Sequence, residues 1–203
     1  MNSNRLATTM TPLPYPAGFG RALLRLPVLL YRLGLGGLLG GLPLMILGTR
    51  GRKSGLPRYT PVEYRQHGSK YYIVSAWGRR PQWFQNLLAS PEVSVQCGTR
   101  RFAARASVVE DSGEAARALY LFRKRAPLVY DALLALLSGT PSVNQHTLPD
   151  ISDAFTIVRL DRQPADTLPV APLEADLAWV ARTGLLAIVV AFSVALFVRL
   201  RRP

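Results

Sequence analysis

The chain has 203 residues, room for one compact domain with an appendage, and two full domains would be cramped. It carries 25 Lys and Arg against 12 Asp and Glu, a net charge of +13 that points to an anionic partner. A single cysteine, Cys97, excludes an internal disulfide framework and reads as a small packed residue, while His67 and His146, far apart and without spaced companions, form no metal motif and read as surface residues.

The charge is polarised. No acid precedes Glu63, whereas eight basic residues do. Residues 1–20 are polar and rich in Pro and Gly. Residues 21–47 follow as a basic-apolar segment in which Arg21, Arg25 and Arg32 share one helical side among leucines. That is the pattern of an interfacial helix with snorkelling arginines. Pro27, Gly36–Gly37 and Gly40–Gly41 interrupt it too often for a spanning helix, and a helix covering the core of the domain is the competing reading. Arginines scattered through the apolar part argue against a cleaved leader.

A β-rich block comes next. "LPLMILGTR" predicts a short buried strand running into the basic loop "GRKSG", and "PRYTPVEYRQHGSKYYIVSAWG" predicts a hairpin turning near His67–Ser69. "RRPQWFQNLLASP" predicts a short helix with Pro81 at its first position, Pro91 at its end, and Trp83, Phe84, Leu87 and Leu88 on one apolar face. "EVSVQCGTRRFAARASVVE" predicts a second hairpin turning at Gly98. Asp111 and Glu114 then form a capping-box-like start to the helix "SGEAARALYLFRKR". "PLVYDALLALL" predicts a further helix, and "DAFTIVRLDR" a closing strand. About six strands with inserted helices and no βαβ alternation indicate an α+β fold built on a mostly antiparallel barrel.

Residues 162–176 carry three prolines and read as a semi-extended linker. Leu177–Val198 is 22 residues with one charge, Arg182, with Trp179 near its start suited to an interface and Arg199, Arg201 and Arg202 closing it, and it predicts a transmembrane helix. The expected organisation is therefore a basic-apolar segment over 1–42, the barrel over 43–161, the linker, the span at 177–198 and a basic tail at 199–203. The lipid bilayer is an expected partner.

The basic loop decides the chemistry. In "LGTRGRKSGLPRYTPVEY", Arg52 stands where a Walker A loop needs its second glycine, so that motif fails. No aromatic interleaving or recognised module surrounds the loop, which argues against nucleic acid. A phosphate or polycarboxylate of a bound cofactor remains, met by main-chain N–H groups and by Arg and Lys side chains.

"GTRGRKSGLPRYTPVEY", "YYIVSAWG" and "PQWFQNLLASPEVSVQ", in this order, resemble the deazaflavin-dependent nitroreductase family, split β-barrel enzymes that use coenzyme F420. The resemblance covers roughly residues 43–160. It implies that Arg52, Lys53, Ser54 and Arg58 hold the phosphate and oligoglutamate tail, and that Thr60 and Pro61 pass under the deazaflavin. It further implies that Ser75, Ala76, Trp77 and Gly78 wrap the phosphate and ring edge, and that Trp83 and Asn86 stand beside the cofactor. Packing of Trp83 and a capping role for Asn86 are the competing readings. Trp77 replaces a lysine found in many members, and Arg79 and Arg80 are candidates to supply that charge. Tyr130 is the candidate contact to the acceptor oxygen. The implied activity is hydride transfer from reduced deazaflavin to a quinone or nitro-type acceptor. The alternatives are an FMN-dependent split-barrel reductase and a non-catalytic flavin- or haem-binding membrane protein. Split barrels often pair, so a second copy is a candidate partner.

Positive-inside counting would put the terminal arginines in the cytoplasm and the barrel outside. A cytosolic cofactor demands the opposite, and a membrane protein with its barrel on the cytoplasmic face is the expectation.

Overall fold

A computed structural model describes residues 18–125, 130–131, 156–164 and 168–200, with the side chains of the last helix described as far as Ser193. The elements are α1 (Gly18–Arg32), a 3-10 turn (Gly36–Gly41), β1 (Leu44–Arg50), β2 (Pro57–His67), β3 (Lys70–Ser75), α2 (Gln82–Ala89), β4 (Glu92–Cys97), β5 (Arg100–Val108), α3 (Ser112–Arg125), β6 (Thr156–Gln163) and α4 (Ala178–Leu200). The strands close into one barrel in the order β1-β2-β3-β6-β5-β4, every pairing antiparallel. Both predicted hairpins are present, with Gly68 and Gly98 at positive φ in their turns.

Alternation along each strand sorts the side chains. Met45, Leu47, Val62, Ile73, Val93, Val95, Phe102, Ala104, Val158 and Leu160 fill the interior, together with Phe84 and Leu87 from α2, which plugs one end. Leu88 does not share that face: it is 48% exposed. Pro81 is the N-cap of α2 rather than its first residue, with ψ at 142°. The reason is local: with no N–H and a fixed φ, it can end the preceding extended segment as readily as open the helix.

Two patches cover the outside. α3 lays Ala115, Ala118, Leu119 and Phe122 over Tyr72 and Ile157. Asp111 caps α3 by accepting the Glu114 N–H at 2.6 Å. The reciprocal arm of a capping box is missing because the Glu114 carboxylate is drawn away to Tyr72 and Arg159.

The second patch joins α1 to the barrel through Tyr31, Leu39, Ile46 and Leu173. The glycines that interrupt the leucine run have a packing reason here. A Cβ on Gly36 would lie 2.3 Å from the Tyr31 ring, and one on Gly98 would lie 2.8 Å from the Gly40 backbone. Residues 36–41 therefore sit flush against Tyr31 and the β4–β5 turn. The core-covering reading of this segment holds for the C-terminal half of α1, where Val28, Leu30 and Tyr31 pack; residues 22–26 are exposed in succession, Leu23, Leu24 and Leu26 among them, and Leu29 is exposed as well.

Residues 168–176, expected as a linker, are a strap fastened to the barrel wall. Ser94 Oγ donates to the Val170 carbonyl at 2.6 Å and accepts the Val170 N–H at 2.9 Å. Tyr59 donates to the Ala171 carbonyl at 2.7 Å, and Val170 and Leu173 are buried. Outward-facing Ser94 and Gln96 are thereby covered, so β4 is buried on both faces. Its proline content makes the strap extended; docking onto Ser94, which no local pattern announces, makes it part of the domain.

α4 leaves from the end of the strap, where Arg32 grips Asp176 through two bonds of 2.9 and 2.6 Å and the Leu177 N–H reaches the Arg32 carbonyl at 2.9 Å. Its side chains from Leu185 to Phe192 are exposed and largely apolar. Among the described residues no helix is long and apolar enough to cross a membrane. The expected span runs past Ser193, the last residue of α4 whose side chain is described. His146 and most of the helix expected around Tyr130 lie outside the described residues.

Candidate functional site

The basic loop joins β1 to β2 as a tight turn. Gly51 and Leu56 close it at 2.9 Å, and Gly55, at φ +69°, donates to the Gly51 carbonyl at 2.7 Å. Most of its main-chain donors are consumed internally. The Ser54 N–H also turns to Gly51, the Leu56 N–H to Ser54 Oγ, and the Arg52 N–H to Asn86 Oδ1 at 3.2 Å. The loop therefore offers an anion mainly side chains, which revises the expectation of main-chain N–H groups.

Those side chains divide into two kinds. Arg52 is braced: its guanidinium donates to Gln82 Oε1 at 2.8 Å and more distantly to Asn86. Lys53 and Arg50 are exposed, and Arg58 reaches only Ser54 Oγ, at 3.5 Å. Arg79 and Arg80 are exposed on the β3–α2 loop. Among the described residues, no carboxylate pairs with any of these six cations. A row of guanidinium and ammonium groups without acidic partners has the charge to meet a polyanion.

α2 brings the two loops together. Asn86 is 5% exposed and bridges the Arg52 N–H to the Thr49 hydroxyl. Gln85 donates to the Arg79 carbonyl at 2.6 Å. Asn86 is thus a brace beneath the loop, and Trp83 packs half-buried against the core with its ring edge-on to Phe84. Ser75 and Gly78 build the turn after β3: the Ser75 hydroxyl donates to the Gly78 carbonyl at 2.6 Å, and Gly78 needs its φ of +57°. Ala76 and Trp77 are half-buried in that turn.

β2 carries the site away from the loop. Val62 and Tyr64 point into the barrel, so Thr60 shares the inner side while Tyr59, Pro61, Glu63 and Arg65 share the outer one. Tyr130 reaches the same outer face, and its hydroxyl donates to the Glu63 carboxylate. Arg65 donates to the other Glu63 oxygen at 2.5 Å and lies 4.8 Å from the Phe122 ring centroid and 6.0 Å from that of Tyr130. Arg123 holds the adjacent Asp131 through two bonds, which keeps the Asp131 carboxyl below its ordinary range. Burial, and then the Glu63 carboxylate, push the Tyr130 hydroxyl well above an ordinary phenol. A phenol held so firmly neutral is a hydrogen-bond donor, not a ready acid.

Pro61 lies on that outer face about 7 Å from Glu63, whereas Arg58 alternates to the inner side with Thr60 and stands at the loop end of the strand, about 10 Å from Pro61. Glu63, Arg65, Gln82 and Thr49 were not legible as site residues. The one sequence signal was that Glu63 is the first acid of the chain and lies two positions from Arg65 on an alternating strand.

The family model described as F420H(2)-dependent quinone reductase matches residues 25–133, more than half of the chain. The chain belongs to this family. The matched stretch holds the basic loop, the outer face of β2, α2 and Tyr130; β6, the strap and α4 lie beyond it. Over 99 residues the chain is 37% identical to an F420H(2)-dependent quinone reductase of Mycobacterium tuberculosis strain H37Rv, an alignment covering 45% of this chain and 66% of that relative. The same figures hold for the F420H(2)-dependent quinone reductase of strain CDC 1551. The match therefore spans just under two thirds of these relatives' length. Among solved structures, one titled as an F420-H2 dependent reductase is 24% identical with a TM-score of 0.42, covering 59% of this chain and 94% of that one.

Proposed function

We propose that this chain binds reduced coenzyme F420 and passes its hydride to a quinone, while attached to a bilayer through α4. The observation that carries the reading is the row of cations without acidic partners at the loop end of β2, with Pro61, Glu63 and Tyr130 farther along the outer face of that strand. This suits an elongated ligand with an anionic tail and a flat, reactive head. Lys53, Arg58, Arg79 and Arg80 would neutralise the tail. Arg52, held by Gln82 and Asn86, would set the loop's position as well as its charge. Arg50 flanks the same row at the end of β1.

Bound reduced deazaflavin would supply the hydride itself. The protein's part is to lay the ring against Pro61 and to limit the freedom of the acceptor beside Tyr130. For Tyr130 to hydrogen-bond an acceptor oxygen, its hydroxyl must turn away from Glu63; the Arg65 contact to Glu63 keeps that carboxylate from being left alone. The membrane part rests on the exposed apolar side of α4 and on the apolar sequence that continues to Val198. We place the barrel on the cytoplasmic face, where the cofactor would be available.

The test offers reduced F420, NADPH and NADH separately to the full chain with a menaquinone analogue. Turnover with reduced F420 alone is expected, and turnover with NADPH or NADH but not F420 overturns the reading. Replacing Arg52 and Lys53 together by Ala is expected to weaken F420 binding at least about tenfold, since each charge-assisted contact contributes about 1.5–3 kcal/mol. The circular dichroism spectrum should stay unchanged, and unaltered affinity would refute the tail-binding role.

A further inference from the structure

Among the described residues nothing covers the leucines of α1 and of the 3-10 turn. Leu23, Leu24, Leu26 and Leu29 line the helix, and Leu38 and Leu42, 75% and 52% exposed, extend the surface onto the turn. Soluble monomers seldom present a contiguous apolar surface of this kind. The glycines beneath it press residues 36–41 against Tyr31 and Gly98, so the leucines stand on a firm base rather than on a loose arm. The rim is basic: Arg25, Arg100 and Arg101 are exposed there, while α1 and the 3-10 turn contain no acid. Acids close by are Glu63, which pairs across from Leu44 and is held by Arg65 and Tyr130, and two on the strap. Asp176 is held by Arg32, and Glu174 is exposed.

We propose that this surface lies flat on an anionic lipid bilayer, as a contact separate from α4. The charge favours that occupant. A second copy placed face to face would set Arg25 and its neighbours against themselves with no carboxylate in α1 or the turn to answer them, whereas anionic headgroups complement the rim. Continuity favours it too. The Arg32–Asp176 pair and the Leu177–Arg32 backbone bond make α4 leave the barrel at the C-terminal end of α1, so both apolar surfaces begin at one corner of the molecule. The cofactor loop is at the other end of β1, roughly 20 Å from Leu44, and stays in water. This goes beyond the reductase reading and does not depend on it.

The full chain, with Leu26→Cys or Leu38→Cys carrying an environment-sensitive fluorophore, tests the contact; the native Cys97 is 3% exposed and does not compete for label. Leu56→Cys in the cofactor loop serves as the aqueous reference. With vesicles of phosphatidylcholine and phosphatidylglycerol, labels at 26 and 38 are expected to brighten severalfold and shift to the blue, and the label at 56 to remain unchanged. Arg25→Gln is expected to weaken vesicle affinity about fivefold. Co-sedimentation with vesicles while labels 26 and 38 stay aqueous would assign attachment to α4 alone and overturn the proposal. Brightening that follows protein concentration without vesicles would assign the surface to a second copy and overturn it as well.

Discussion

Asn86 shows how a side chain that touches two braces can govern a site it does not enter. Its amide holds the Arg52 N–H and the Thr49 hydroxyl at the base of the basic loop, almost out of contact with solvent. Asn86→Ala leaves both groups without that partner and is expected to cost about 1–3 kcal/mol in denaturant unfolding. It should also reduce F420 affinity through the displaced loop. Gln82→Ala, which frees only one exposed guanidinium bond, is expected to stay within about 0.5 kcal/mol. On the alkaline side, Tyr64, Tyr72 and Tyr130 are the most strongly raised of five raised tyrosines. Burial, then the Cys97 contact, raises Tyr64 to about 12, burial, then Glu114, raises Tyr72 to about 12, and Tyr130 is raised for the reasons above. Groups whose folded pKa lies above the unfolded value, here about 10, stabilise the fold fully below that value and lose the contribution as pH climbs through the folded one. Ultraviolet titration of the native chain is expected to show these phenols ionising after the exposed ones, and the order should vanish in denaturant.

At the scale of elements, the strap changes the character of β4. Ser94 and Gln96 would be ordinary outward polar residues of a half-exposed strand, yet Val170 and its neighbours cover them. The reciprocal Ser94–Val170 bonds are the clasp. Ser94→Ala is expected to cost about 1–2 kcal/mol and to raise hydrogen exchange across 168–176 with little change in the interior strands. Equal loss of protection throughout the barrel would show instead that the strap unfolds only with the whole domain. Secondary structure itself was largely legible. The strand-like runs and the turns expected near His67–Ser69 and at Gly98 marked both hairpins. Leu88 was misplaced because α2 is only eight residues long, and its narrow seam against the barrel mouth admits Phe84 and Leu87 but not a fourth apolar side chain.

For the whole molecule, the net charge of +13 acts at a distance on any anionic cofactor. Association of F420 is expected to slow steeply as ionic strength rises from low to physiological, because the six unpaired cations at the loops are exposed and screened. Stopped-flow fluorescence checks this, and a salt-independent association rate would show that steering is absent. The sequence by itself determined the barrel, the cation-rich turn and the family resemblance, because strand-like runs, turn glycines and motif order are properties of neighbouring residues. Tertiary structure alone decided which cations are braced and which are free, that residues 168–176 belong to the barrel wall, and that Tyr130 meets Glu63 and Arg65 on the outer face of β2. Each of those depends on strand register, barrel closure or contact between residues more than 30 positions apart, such as Arg52 with Asn86 and Ser94 with Val170. Pairing over such separations is set by the packing of the closed fold, and no local pattern encodes it.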